Sequence, residues 1–140
     1  MPADPRAGGA GAPRGSLATR TLALPADANP NVDIFGGWVL AQMDIAGGIT
    51  AGARARGRVA TVAVDAMVFH RPVYVGDVLC TYADIIRIGR TSIAINIEAW
   101  ALRGTLSDRV LDDHVKVTEG TFTLVAIDDA GRPRPVPEEG

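Results

Sequence analysis

The chain of 140 residues contains a single cysteine, two histidines and few aromatic side chains, 5% of the total. Its one cysteine, Cys80, excludes an internal disulfide and fits a reducing compartment. Because Cys80 lies in an apolar, strand-like run, we expect a buried, inert thiol. His70 and His114 belong to no Cys, His and Asp set with metal-ligand spacing, which argues against a zinc site. We therefore expect a protein that works without a metal or a separate cofactor.

Long apolar runs are also absent from this sequence. No stretch approaches the ~20 apolar residues that span a membrane. The first 16 residues lack the hydrophobic segment of a signal peptide. A net charge of −2 argues against bulk affinity for nucleic acid. We expect a cytoplasmic protein that binds neither nucleic acid nor membrane.

The composition, 47% hydrophobic and 21% charged, is ordinary for a globular protein of one domain. Residues 1–16 are rich in Gly, Ala, Pro and Arg and are expected to form a disordered tail. The domain itself is assigned to residues 17–128. Residues 129–140, charged and rich in proline, are expected to extend away from it as a second tail.

The hydrophobic pattern between the tails predicts one helix and about five strands. A loop at residues 25–33 precedes a helix from about residue 36 to residue 56, with Asp33 placed to cap its start and Gly57 to end it. Segments rich in β-branched residues predict strands at residues 18–24, 58–70, 77–88, 91–102 and 114–127. A strand, a helix and then a meander of four strands predict an α+β fold, an antiparallel sheet wrapped around one long central helix.

The predicted helix is unusually poor in side-chain bulk. Each glycine inside a helix costs ~1 kcal/mol relative to alanine. Such a helix makes sense if other groups must approach its backbone closely on several sides. Its small residues are Ala41, Ala46, Gly47, Gly48, Ala51, Gly52 and Ala53.

The start of this helix also offers chemistry. Gly36 and Gly37 open the helix, where amide hydrogens without an intrahelical partner can polarise a carbonyl group. Asp44 follows eight residues after Gly36, in the least polar part of the helix. A buried carboxylate there can act as a general base or a nucleophile, whereas the alternative is an ordinary helical aspartate facing solvent. The combination suggests acyl chemistry.

The spacing of these two groups predicts at least a dimer. Eight residues of helix separate Gly36 from Asp44 by ~12 Å. An oxyanion donor and a base must both act at ~3 Å from the reacting group. One helix therefore cannot readily supply both. Two helices packed antiparallel about a two-fold axis would place Gly36 of one protomer opposite Asp44 of the other.

An ordered series of motifs along residues 19–128 resembles the hot-dog fold acyl-CoA thioesterases, and most of all their short YciA-like bacterial branch. In many relatives a histidine precedes the Gly-Gly pair, whereas Phe35 stands there in this sequence, as it does in that branch. The resembling segments are residues 25–38, 42–44, 69–72, 75–77, 89–100 and 116–119.

The resemblance implies a hot-dog fold and hydrolysis of acyl-CoA to a free carboxylic acid and CoA without a metal. CoA is then part of the substrate and product and not a cofactor. The resemblance also implies homodimers whose sheets join edge to edge, assembled further into a trimer of dimers or a tetramer.

The same resemblance assigns roles to individual residues. The Gly36 N–H is expected to be the oxyanion donor, with Gly37 giving close access, or Gly36 is simply a flexible joint before the helix. Asn29 is expected to polarise the thioester carbonyl or hold the water, or is an ordinary turn residue. Asp33 remains either a helix cap or a catalytic residue. Thr61 helps to hold the water or Asp44, or is an ordinary threonine.

Arginine is the residue expected to bind the CoA phosphates, because its fork of donors matches phosphate geometry. The tight turn that follows Arg87 adds backbone and hydroxyl donors in one place. Arg54, Arg56 and Arg58 are expected instead to decorate the helix end, where positive charge suits the helix dipole. The candidate phosphate contacts are Arg71, Arg87, Gly89, Arg90, Thr91 and Ser92.

Two other functions fit the same fold. A β-hydroxyacyl dehydratase or hydratase needs a histidine together with an acid, and the helix and its preceding loop contain no histidine. A non-catalytic acyl-CoA-binding module would not need the set of Asn29, Gly36 and Asp44. The acyl chain length is left open, since it depends on candidate tunnel residues: Val39, Met43, Met67 and Phe69.

Overall fold

The computed structural model describes residues 11–31, 33–103 and 113–139. It contains one long helix, α1, and a short 3₁₀ turn, Pro25–Asp27, before it. The sequence-based prediction of one helix and five strands is confirmed, and each element ends close to its predicted bounds. The elements are β1 (Ser16–Leu22), α1 (Gly36–Ala55), β2 (Val59–Phe69), β3 (Val78–Ile88), β4 (Ser92–Arg103) and β5 (Asp113–Ala126).

The five strands form one antiparallel sheet in the order β1-β3-β4-β5-β2, and α1 contacts every strand. One face of α1, which includes Val39, Met43 and Ala46, is buried against the sheet. Gly47 lies on the same face, where an added Cβ would stand 3.1 Å from the Ile97 side chain. The glycine therefore lets the helix approach the sheet closely.

The predicted meander of four strands is wrong in one respect. Only β3, β4 and β5 are sequential neighbours, whereas β2 pairs with β5 at the far edge of the sheet. Between β2 and β3 the chain passes the start of α1. The Ile34 N–H donates to the Val73 carbonyl over 2.9 Å, and Asp33 forms a β-bridge with Tyr74. This crossing leaves β2 as an edge strand.

The residues predicted to begin and end the helix, Asp33 and Gly57, both need correction. The N-cap is Phe35, without a side-chain capping hydrogen bond, because the bridge to Tyr74 holds Asp33 in extended backbone before the cap. At the other end the left-handed residue is Arg56, with φ 54°, and not Gly57. Gly57 instead leaves room for the Arg134 side chain, since a Cβ there would lie 2.6 Å from Nη2 of Arg134.

The C-terminal segment packs on the domain, so the expectation that residues 129–140 extend away from it is wrong for the part described. Nη2 of Arg134 donates to the Ala55 carbonyl over 2.9 Å. Arg54 donates to the Pro137 carbonyl. The segment thus satisfies a terminal carbonyl of α1, which has no partner within the helix.

The predicted N-terminal tail is only partly described. Residues 1–10 lie outside the described part of the chain. Arg14 already contacts the sheet, where its Nε lies 2.6 Å from Oδ2 of Asp84, and β1 begins at Ser16. The end of the predicted tail therefore belongs to the domain.

The strands also bury several polar and aromatic groups. Cys80 is buried, as predicted, and burial raises the pKa of its thiol. His114 packs on Trp100 at 4.8 Å between ring centroids, and burial lowers the pKa of its imidazole. Glu98 accepts a hydrogen bond from Nε1 of Trp100 over 2.9 Å. Within the described ranges, no helix is long and apolar enough to cross a membrane.

Candidate active site

The first turn of α1 begins with two glycines, whose backbone N–H groups are not covered by side chains of their own. Trp38 is the first residue whose N–H bonds back to the chain before the helix, donating to the Phe35 carbonyl over 3.0 Å. The N–H groups of Gly36 and Gly37 precede it and have no acceptor within the helix. A Cβ on Gly36 would stand 3.6 Å from the Phe69 ring, whereas one on Gly37 would meet nothing within 4 Å. Both amides can therefore be approached by a ligand.

Asp44 lies on the helix face turned away from the core and is exposed in the protomer. The sequence-based expectation of a buried carboxylate is wrong for the single protomer. Met43, its neighbour, occupies the helix face that packs on the core, and Asp44 lies on a different face. Oγ1 of Thr61 donates to Oδ1 of Asp44 over 2.5 Å. A strand residue thus holds one carboxylate oxygen, and the other remains available for chemistry.

The cavity beside this carboxylate is about 350 Å³ and is mostly apolar. Its helix residues follow the spacing of one helix face. Two residues of β2 and one of β5 complete it. This Asp44 pocket is lined by Gly37, Leu40, Ala41, Asp44, Thr61, Val64 and Phe122.

A second cavity, of about 340 Å³, lies at the start of the helix. Its inner wall is apolar, and its rim contains an asparagine, an aspartate, a histidine and an arginine. This Gly36 pocket is lined by Asn29, Asp33, Ile34, Gly36, Val39, Phe69, His70, Arg71, Pro72, Val73 and Val117.

Asn29 is fixed at the rim of the Gly36 pocket by its own loop. Its Oδ1 accepts from the N–H groups of Asn31 and Asp33, over 2.9 and 3.1 Å. Its backbone N–H donates to the Asp33 carbonyl over 2.7 Å. Because the side-chain oxygen is committed to the turn, the amide NH₂ is the group that can donate to a ligand.

The predicted catalytic residues thus fall into two groups within one protomer. Asn29, Asp33 and Gly36 line the Gly36 pocket, whereas Asp44 and Thr61 line the Asp44 pocket with Gly37. Eight helical residues separate Gly36 from Asp44 by ~12 Å along the axis. One protomer therefore keeps the Gly36 amide and the Asp44 carboxylate in separate pockets.

The candidate phosphate contacts are also divided. Arg71 is exposed and lines the Gly36 pocket. The turn at residues 89–92 lies at the opposite end of the sheet, because Ser92 pairs with Val125 near the start of β2, whereas Gly36 lies beside Phe69 at its end.

The turn itself has several internal bonds. The Gly89 N–H donates to the Ser92 carbonyl over 2.8 Å, and the Val136 N–H donates to the Arg90 carbonyl over the same distance. The side chains of Arg87 and Arg90 are exposed, and Thr91 and Ser92 are half-buried. In one protomer, this group is therefore brought to neither pocket.

Two irregularities in β2 determine which of its side chains reach the helix. The register with β5 shifts between Thr61 and Ala63 and again between Asp65 and Val68. Ala66, inside the second shift, has φ 59°. In a regular strand Ala63 and Asp65 would share the face of Thr61, but the first bulge places Val64 there instead.

Sequence reasoning missed four residues of the Asp44 pocket: Leu40, Ala41, Val64 and Phe122. The helical ones could have been found, since residues 37, 40, 41 and 44 share one face at i, i+3, i+4 and i+7. Val64 could not, because its orientation depends on a bulge. Of the four candidate tunnel residues, Val39 and Phe69 line the Gly36 pocket, and Met43 is fully buried in the core.

Among the described residues, no group of three or more His, Cys, Asp or Glu side chains is placed to hold a metal ion. Of the described residues that line the Asp44 pocket, only Asp44 carries a charged side chain.

One long helix wrapped by a five-stranded antiparallel sheet, with a Gly-Gly start and an aspartate on its open face, is the architecture of a hot-dog thioesterase. The chain belongs to the thioesterase superfamily, whose family model matches residues 32–107. The fold and family predicted from the sequence are therefore confirmed.

Individual relatives and solved structures show how similar this chain is to particular thioesterases. The chain is 52% identical over 128 residues to the acyl-CoA thioester hydrolase YciA of Salmonella typhimurium, covering 91% of this chain and 95% of the relative. It superposes with a TM-score of 0.85 on the hexameric thioesterase y2039 from Yersinia pestis, at 53% identity, covering 91% of this chain and 100% of that one. An Asp-to-Ala mutant of HI0827, a hexameric broad specificity acyl-coenzyme A thioesterase, gives a TM-score of 0.86 at 46% identity, covering 91% and 90%.

Proposed function

We propose that this chain hydrolyses acyl-CoA thioesters to a free carboxylic acid and CoA. The observation on which this rests is one helix that presents uncapped first-turn amides at Gly36 and, on its open face, a carboxylate at Asp44 held by Thr61. The names of the relatives support the same activity, since they include an acyl-CoA thioester hydrolase and a broad specificity acyl-coenzyme A thioesterase.

In the proposed reaction the thioester carbonyl oxygen accepts a hydrogen bond from the Gly36 N–H. That donor stabilises the negative charge that develops on the oxygen as the carbon is attacked. The Asn29 amide is a second donor at the same rim. The carboxylate of Asp44 either takes a proton from the attacking water or attacks the carbon itself, giving an anhydride that water then opens. In both routes the C–S bond breaks and the CoA sulfur leaves.

We further propose that each active site is shared by two protomers. The Gly36 half of one chain meets the Asp44 half of its partner when two α1 helices pack antiparallel about a two-fold axis. The open helix face and the edge strand β2 support this arrangement, because both expose large apolar side chains in the protomer. These are Leu40, Ile45, Ile49, Val62, Val64 and Val68.

A hexamer built from three such dimers is the assembly that we propose. Two of the similar solved thioesterases are hexameric. For the CoA phosphates we propose Arg71, which lines the same pocket as the Gly36 amide. A contribution from Arg87, Arg90 and their turn would have to come from a different protomer, because that turn lies at the opposite end of the sheet.

The test is replacement of Asp44. Asp44→Ala and Asp44→Asn should each lower kcat by about 10²–10⁴-fold, because the base is lost. Asp65→Asn is the matched control, since Asp65 pairs with Thr121 on the other face of β2 and should retain wild-type turnover. Release of free CoA is followed with a thiol reagent. Circular dichroism and CoA affinity should be unchanged in all three variants.

The same assay separates the competing functions. Interconversion of enoyl and hydroxyacyl groups without CoA release would identify a dehydratase or hydratase. Binding of acyl-CoA without any turnover by the wild-type protein would identify a binding module. Near-wild-type kcat in Asp44→Asn would remove Asp44 from the mechanism.

A further inference from the structure

The segment between β2 and β3, residues 70–77, supplies one wall of the Gly36 pocket and is held by an arginine of β4. Resting on the function proposed above, we infer that Arg103 is a positioning residue for the half of the site that binds the thioester carbonyl. It acts through this β2–β3 connection and not by contact with the substrate, since Arg103 is not among the residues that line the Gly36 pocket.

The β2–β3 connection is tied to its neighbours at both ends. At its start, the His70 N–H donates to the Val117 carbonyl over 2.7 Å. At its end, the Ala23 N–H donates to the Asp77 carbonyl over 2.9 Å. Residues 72–73 lie between these ties, line the pocket and belong to no strand. The position of this wall therefore depends on contacts other than a strand ladder.

The middle of the connection is bonded to the segment that precedes the helix. The Ile34 N–H donates to the Val73 carbonyl over 2.9 Å, and Asp33 forms a β-bridge with Tyr74. The two proposed donors to the thioester carbonyl stand at the ends of this segment, residues 29–36. A displacement of the connection would therefore displace both donors.

Arg103, the last residue of β4, makes three contacts with the connection. Its Nη2 donates to the Pro72 carbonyl. Its guanidinium lies over the Tyr74 ring, with Cζ 4.8 Å from the ring centroid. Its Nε lies 3.5 Å from Oδ2 of Asp77, and the same oxygen accepts from the Tyr74 N–H over 2.9 Å. One side chain thus fixes the connection at three points.

Burial and the shape of the guanidinium make these contacts specific to arginine. The side chains of Arg103 and Asp77 are 19% and 7% exposed, so that salt screens their attraction little. A planar guanidinium can donate at its edge while its face covers an aromatic ring, whereas a lysine ammonium supplies only the charge. Removal of the guanidinium would take away all three contacts at once.

The experiment replaces Arg103 by Met, which is nearly as long but uncharged, and by Lys. Arg103→Met should lower kcat for one acyl-CoA by about tenfold, because a small displacement of the donors is costly in the transition state. Arg103→Lys should lose less, since it retains the charge beside Asp77. Arg14→Met is the matched control, because Arg14 pairs with Asp84 over 2.6 Å, outside the connection, and it should retain wild-type kcat.

Hydrogen exchange followed by mass spectrometry separates positioning from general stability. In Arg103→Met, the Ile34 amide should exchange about tenfold faster, because the segment that carries its acceptor, Val73, is held less firmly. Amides of β2 around Thr61 should exchange at the wild-type rate. Arg14→Met should leave the exchange rates of both regions unchanged.

Wild-type kcat in folded Arg103→Met, or a lower kcat without faster exchange at Ile34, would overturn the positioning role. Faster exchange in every region would make Arg103 a general stabilising residue instead. If Arg103→Met does not fold, Arg103→Lys and Tyr74→Leu, which removes the ring under the guanidinium, should show both effects to a smaller extent, and their absence would overturn the inference equally. Exchange needs no substrate, so a wild-type protein that releases no CoA would overturn the proposed function and not the link between Arg103 and Ile34.

Discussion

The side chain of Asp44 has one hydrogen-bonding neighbour whose contribution can be isolated. Oγ1 of Thr61, in β2, donates to Oδ1 of Asp44, in α1, over 2.5 Å. The hydrogen bond therefore joins two different elements. A hydrogen bond to a charged group contributes ~1.5–3 kcal/mol. The hydroxyl therefore orients the carboxylate and is well placed to keep the other oxygen facing the substrate.

Replacing Thr61 by Val should lower kcat by about tenfold to a hundredfold, since the orienting hydrogen bond is lost while the shape is preserved. The KM for acyl-CoA should stay within about twofold, because Thr61 orients the carboxylate and does not bind CoA. Steady-state kinetics with one acyl-CoA gives both constants.

Thr61→Ser is the matching control. It retains the hydroxyl and should recover most of the kcat lost in the valine variant. Equal losses in Val and Ser variants would mean that the methyl group, and not the hydrogen bond, is what the site requires.

At the same scale, the sequence predicted some of the site and not the rest. Gly36 and Asp44 could be identified from the sequence because both roles follow from local structure. Gly36 begins a helix, and Asp44 lies within the same helix. The contact between Thr61 and Asp44 was only one of two alternatives, since it depends on how β2 packs beside α1. The residue roles remain predictions until the variants are measured.

At the scale of elements, the sequence was a good guide to where helices and strands begin. Side-chain periodicity and turn residues are local signals, and all five strands lie close to their predicted segments. The predicted meander was wrong at β2, because its pairing with β5 depends on long-range contacts that no local sequence pattern indicates. The misassigned cap at Asp33 has the same origin, since a long-range bridge to Tyr74 determines its backbone.

The second bulge of β2 depends on an unusual contact. Met67 covers Gly120 of β5, where an added Cβ would lie within van der Waals overlap of the Met67 sulfur, at 2.4 Å, and 3.1 Å from the Asp65 carbonyl oxygen. The adjacent Ala66 has φ 59°, a conformation that costs an alanine energy. Met67 therefore packs over the glycine directly beside a strained residue.

Gly120→Ala should lower the free energy of unfolding by about 1–3 kcal/mol, because the new methyl group overpacks the contact. Met67→Ala in the same chain should restore part of the loss, since it removes the atoms that the methyl group meets. Denaturant unfolding of the two single variants and the double variant completes the cycle. Strict additivity of the two substitutions would show that the bulge does not depend on this contact.

At the scale of the whole molecule, glycines lie on two sides of the helix, one covered by the sheet and one open. Gly47 is explained by its contact with the sheet, whereas a Cβ on Gly37 or Gly48 would meet nothing within 4 Å of the protomer. The sequence predicts that other groups approach the helix backbone closely on several sides. Within one chain, the sheet does so on one side. The proposed partner helix would account for the other.

A shared site predicts complementation between two inactive variants. Asp44→Ala removes the carboxylate half, and Asn29→Ala damages the Gly36 half. In a mixed dimer, one site combines the intact Gly36 half of the first chain with the intact Asp44 of the second, while the other site has lost both. Mixed dimers should therefore regain up to about half of the activity of a wild-type dimer.

Measurement requires that the subunits exchange. Differently tagged variants are unfolded together, refolded and purified through both tags before turnover is assayed. Each variant refolded alone is the control and should stay inactive. Doubly tagged protein without activity would contradict the shared-site arrangement.

The strand order also decides when the domain can complete itself during synthesis. β2 leaves the ribosome before β3, β4 and β5, yet within the described residues its strand partner is β5, the last to be made. Until Ala126 can meet Val59, β2 is an unpaired edge that exposes Val62 and Val64. Unpaired edges invite contacts with other chains, and bulges discourage them. The first bulge, which places Val64 in the Asp44 pocket, belongs to the pairing of β2 with β5, so the pocket is completed only when the last strand has joined the sheet.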